Sequence, residues 1–127
     1  MPQTLTFEPS WDKALPEQDR LKIKQTFAQI DHDTSEPSIT FTPLWQAKNY
    51  KGELLVTVII NNYSEKELTF DQTSIHYIER GQILATHFFT LKTVIIPPKT
   101  SMPWAFIFPV KNISQQATFD NGFLRLV

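Results

Sequence analysis

The residues able to do chemistry in this chain are few and poorly spaced for it. Nucleophilic catalysis needs a Ser or Cys beside a His, and the His needs a carboxylate to orient it. The chain has three histidines, His32, His76 and His87, and no cysteine. None of the three stands in a nucleophile elbow. His76 and His87 fall on opposite arms of one expected hairpin, as candidate cross-strand neighbours, and are expected on its solvent face. Asp31-His32-Asp33 has the residue types of a metal site. Adjacent side chains diverge, however, and no fourth ligand is spaced nearby, so a solvated helix end is expected instead. The three glycines, Gly52, Gly81 and Gly122, are too far apart for either phosphate-binding fingerprint. Glu65 and Glu67 flank Lys66 in a charged loop that should face solvent. The expectation is a domain that is not an enzyme, with no catalytic residue, no cofactor and no metal.

Aromatic side chains carry the stronger signal. Ten Phe, three Trp and three Tyr occur in 127 residues, more than one thin core obviously needs. Phe41, Trp45, Trp104, Phe106 and Phe108 are expected in that core. Phe88 and Phe89 are adjacent on one expected strand, so their rings point to opposite faces, and one of them leaves the inner layer. Either the N-terminal helix covers that ring, which is the expected arrangement, or the ring belongs to an exposed apolar patch. The strand that carries Ile39 and Phe41 also carries Pro43, which suits an edge or a bulge. An extended partner segment can add to such an edge by backbone pairing. Phe88, Phe89, Ile39 and Phe41 are therefore the candidate partner-binding residues.

The elements that must position these residues follow from periodicity. Residues 1–15 read as extended and irregular. Pro16 suits a first helical position, and Glu17 and Asp19 complement the dipole in the first turn. Ile23, Phe27 and Ile30 fit one helical face, so a helix is predicted over 16–30, packed on the sandwich through those three residues and ended by Asp31, Asp33, Ser35 and Pro37. Beyond Pro37 the period changes to two. Ile39, Phe41 and Trp45 share a face. Leu54–Ile60 is nearly all apolar and β-branched, hence a buried central strand. Short strands follow at Leu68–Phe70, Thr73–Glu79, Ile83–Leu91, Val94–Ile96, Ser101–Phe108 and Phe119–Leu126, with a tight turn at Arg80-Gly81. Strands recurring about every ten residues predict a mainly β fold: an immunoglobulin-like antiparallel β-sandwich over 38–127, preceded by one N-terminal α-helix, in a single domain spanning 1–127.

Charge excludes some partners. The formal net charge is −1 and the sequence pI is near 6.3, without the basic excess or stripe that nucleic-acid binding demands. The apolar run Leu54–Ile60 is far too short to span a membrane. Residues Met1–Glu8 show no secretory signal pattern, so a cytoplasmic location is expected, with any membrane association through partners. The alternative is a binding module from a cell-surface protein or lipoprotein.

Three segments, in order and spacing, resemble a known family. They are Pro9-Ser10-Trp11-Asp12 followed by Leu15–Asp19, Gly52–Asn62, and Ile96–Pro109 with its Pro-Trp-Ala-Phe-Ile-Phe-Pro run. Together they resemble the SLAP domain of Gram-positive bacteria, the module of S-layer assembly proteins tied to the accessory Sec system, over residues 7 to 113. The resemblance implies a domain without catalytic residues that helps certain envelope proteins reach or cross the membrane. The function expected from residues and resemblance together is a non-catalytic, protein-binding accessory factor for export or assembly of surface proteins. Its partner would be the export machinery or a surface-protein precursor.

Overall fold

A computed structural model describes residues 3–32 and 37–127 of the chain. Its order is β1 (Thr4–Leu5), α1 (Pro9–Ala14), α2 (Glu17–Gln29), β2 (Ile39–Lys48), β3 (Leu54–Asn62), β4 (Leu68–Glu79), β5 (Gln82–Ile96), β6 (Thr100–Phe108), a 3-10 turn at Val110–Asn112, and β7 (Phe123–Leu126). The strands form two sheets. One has the order β1-β6-β3-β2 and the other β5-β4-β7. The fold is a mainly β, two-sheet sandwich with a small helical part, as the strand spacing predicts. All pairings are antiparallel except β1 with β6, where Thr4 and Leu5 run parallel to Thr100 and Ser101.

β3 is the central strand expected from its apolar, β-branched sequence. Val56, Val58 and Ile60 face inward, against Phe106 and Phe108 of β6 and Phe70, Ile75, Tyr77 and Phe89 of the other sheet. Rings set this core. Phe89 meets Phe106 and Phe108 edge-on at 5.1 and 5.2 Å, and Phe41 meets Phe106 at 5.7 Å, geometries each worth about 0.5–1.5 kcal/mol beyond simple burial. Asn61 and Asn62 end β3 fully buried, yet satisfied. Asn62 Nδ2 donates to the carbonyls of Lys66, Ile96 and Pro97, and its Oδ1 accepts from Ser64. One side chain thereby ties the approach to β4 to the end of β5.

The helical part departs from expectation. Residues 9–14 are helical, not extended: Pro9 leads, and the Glu8 carboxylate caps the amides of Ser10 and Trp11. In the next helix Pro16 is the cap residue, and its carbonyl accepts from Asp19 and Arg20. Arg20 ties the two helices, binding Asp12 and Glu17. Ile23 is fully buried, whereas Phe27 and Ile30 are half-buried. His32 closes α2 against Tyr63, with Nδ1 2.9 Å from the phenol oxygen and its ring stacked on Phe27. It is thus an anchored side chain rather than a solvated end. Asp33 and Ser35, expected helix stops, lie outside the described residues. Among the described residues no helix is long and apolar enough to cross a membrane.

A bulge in β2 overturns one facing assignment. Phe41 pairs with Ile60 and Pro43 with Val58, but Trp45 pairs with Thr57. The extra residue, Leu44, reverses the alternation. Phe41 therefore points into the core, and Trp45 points outward beneath α2, where the Lys22 ammonium sits 5.5 Å from its ring. The helices thus lie on the outer face of the β1-β6-β3-β2 sheet. There Ile23 and Ile59 are fully buried outside the inner cluster.

Candidate protein-docking surface

Phe88 and Phe89 are sorted as strand geometry requires. Phe89 pairs opposite Thr73 and enters the core, while Phe88 pairs opposite Ser74 and stands on the outer face of the β5-β4-β7 sheet. Phe88 is 60% exposed and Phe89 only 6%. The expectation that the helix covers the outward ring fails, because the helices cover the other sheet. Phe41 is likewise a core ring and Ile39 is half-buried. Of the four candidate residues, Phe88 is thus the one fully presented to a partner, and Phe41 and Phe89 are corrected to core positions.

No described helix lies over the face around Phe88, which mixes apolar with polar residues. Across the three strands, Phe123, Ile78 and Ile83 form one row, followed by Arg125, His76 and Thr86, then Ser74 and Phe88. Ile83 and Phe123 are exposed, as is Ile95 further along β5. His76 Nδ1 is buried on this face with no hydrogen-bond partner among the described residues. His87 pairs opposite Ile75, which faces the core. The two histidines are therefore on opposite faces and not neighbours. His87 stacks edge-on with Phe89 at 4.8 Å, and its Nδ1 lies 3.0 Å from Asn112 Nδ2.

Where β5 and β6 border the sandwich, the two sheets part. A cleft of about 280 Å³ opens between them, lined by Phe88, Phe89 and Leu91 from β5 and by Trp104, Phe106 and Ile107 from β6. Trp104, expected in the core, is half-buried at its mouth, 6.5 Å from Trp11. A larger hollow of about 530 Å³ lies at the opposite border, between β2 and the segment 119–123.

Beside that hollow lies a polar lock that sequence reading missed. Glu79 ends β4 with no exposed surface. Its carboxylate accepts from Tyr77 Oη at 2.6 Å, from the Thr118 amide and hydroxyl at 2.9 and 3.0 Å, and from the Phe119 amide at 2.9 Å. Burial alone raises a carboxyl pKa. Here the hydrogen bonds from Tyr77, Thr118 and Phe119 outweigh burial and hold Glu79 below its ordinary value. Burial, and then the neighbouring carboxylate, push the Tyr77 hydroxyl upward. The lock fixes a segment in which Phe119 and Asn121 have positive φ, and Gln46 completes it by exchanging two hydrogen bonds with the Gly122 main chain. Edge strand β2 is thereby tethered at Gln46 to the main chain of Gly122.

The sequence matches the model of the SLAP domain over residues 5–124. The chain belongs to the SLAP domain family. No curated protein and no solved structure matches it. In this SLAP domain the conspicuous Pro-Trp-Ala-Phe-Ile-Phe-Pro run is β6. Its Phe106 and Phe108 fill the core while its Trp104 reaches the cleft mouth.

Proposed function

We propose that this SLAP domain is a non-catalytic, protein-binding accessory module that assists the export or assembly of surface-layer or other cell-surface proteins. The supporting observation is the asymmetry of the sandwich. The outer face of one sheet is roofed by α1 and α2, while the other leaves Phe88, Ile83 and Phe123 exposed. A phenylalanine left 60% exposed on a rigid strand forgoes about 1–2 kcal/mol of burial, which a docked partner recovers. Membership of the SLAP domain family supports the surface-protein role.

Affinity capture from the native cell, with Phe88→Glu beside the unaltered protein, tests this. The variant should lose its partners and keep its melting temperature within a degree or two. Loss of capture only in parallel with loss of folding would sink the proposed surface.

A further inference from the structure

The border of β5 tells what shape of partner fits. β5 is the terminal strand of its sheet. Among the described residues its outer edge is occupied only at the upstream end. The Leu84 carbonyl accepts from the Ser114 amide, the Thr86 carbonyl accepts from Asn112 Nδ2, and Ala85 bridges Ile113. Alternation along a strand sends the main-chain groups of Phe88 and Thr90 to the same side as those of Leu84 and Thr86. No described element pairs with them there.

Unpaired amides and carbonyls spaced along a strand are complementary to one object, another extended backbone. The apolar cleft between Phe89 and Trp104 lies beside this edge, placed to take alternate side chains of such a segment. Charge narrows the occupant further. β6 carries no charged residue, and β5 carries no acidic one. Lys92 follows one end of the open stretch. Lys111 adjoins Asn112 at the other.

We infer that the open edge of β5 at Phe88–Thr90 captures an extended polypeptide segment by strand addition. The segment is apolar at alternate positions and carries carboxylates at its ends. A second copy of this chain fits poorly. Antiparallel pairing of two β5 edges sets Lys111 of one copy toward Lys92 of the other, like charge to like charge. This inference rests on the protein-binding reading above and specifies its mode.

The probe is a short synthetic peptide in which valine and threonine alternate between aspartate ends, added to the full chain and followed by backbone amide NMR. The Phe88 and Thr90 amides should shift and exchange more slowly. Methylating the two alternate peptide nitrogens that donate to the Phe88 and Thr90 carbonyls should weaken binding about thirtyfold, since each lost backbone bond contributes about 1 kcal/mol. Lysine ends in place of aspartate should also weaken it. In the protein, Thr90→Pro removes the outward amide and should abolish binding. Thr90→Ala keeps that amide while losing the hydroxyl that accepts from Gln72, and should bind normally. Equal affinity for the methylated peptide, no binding, shifts confined to another surface, or a concentration-dependent dimer without peptide would each overturn strand addition. If cellular capture still depends on Phe88 in such a case, the face docks a folded partner and the broader reading stands. If capture also survives Phe88→Glu, both readings fall.

Discussion

Replacing Glu79 by Gln removes a charge while leaving the shape of the side chain nearly unchanged. In the native domain one carboxylate oxygen accepts from the Thr118 amide and hydroxyl, and the other from Tyr77 Oη and the Phe119 amide. A Gln side chain must turn its NH₂ toward one of these pairs; the hydroxyl of that pair can rotate to accept from it, but the main-chain amide loses its acceptor in a fully buried site. An orphaned buried donor costs about 1–3 kcal/mol, which is the loss expected for Glu79→Gln. The sign with pH follows from linkage. The folded pKa lies below the unfolded one, so this contribution is complete above the unfolded carboxylate value of about 4.3 and is lost as pH falls through the lower folded value. Urea midpoints of both proteins across the acid range measure it. The gap between them should be full at neutral pH and should shrink below that range, where the native side chain is itself neutral. A gap under about 0.5 kcal/mol at neutral pH, or one unchanged in acid, refutes the account of the lock.

Three further outcomes are expected. Phe89→Ala should cost about 3–5 kcal/mol in urea unfolding, whereas Phe88→Ala should stay within about 0.5 kcal/mol, because one ring is core and the other exposed. Gly122→Ala drives a Cβ into the Tyr77 ring. The thermal melt should therefore fall by several degrees, corresponding to about 1–3 kcal/mol of overpacking. Asn62→Ala strips a donor from the carbonyls of Lys66, Ile96 and Pro97. It should cost about 2–4 kcal/mol and raise amide exchange at the start of β4 and the end of β5.

What the sequence made legible was local. The Arg80-Gly81 turn was readable because a tight hairpin needs two positive φ values, which these residues adopt at 47° and 77°. β3 was readable from its unbroken β-branched run. Alternation separated Phe88 from Phe89, although only the packing of the helices decided which ring stayed exposed. A helix with one apolar stripe must find a sheet, and nothing in the stripe says which. Trp45 was assigned to the core because Pro43 hinted at a bulge without showing that Leu44 was the added residue. Glu79 resembled any polar residue beside a turn; its acceptor role depends on Thr118, 39 positions away. The capping signal for α1 was present in Glu8-Pro9-Ser10, and it was hidden only by the shortness of the helix.

The parallel pairing of β1 with β6 has a consequence for how the chain is made. Gln3 donates to Ser101 across 98 positions, and Thr4 pairs with Thr100. Nothing synthesised between them can complete that sheet. The ribosome must deliver β6 before the first strand finds its neighbour, and before β3 gains its second ladder. Until then β3, the most apolar strand, has an open side. Closing so long a loop is slow. The nascent domain therefore passes through a prolonged stage with an adhesive, half-built sheet, and chaperones that shield hydrophobic strands have their best opportunity there.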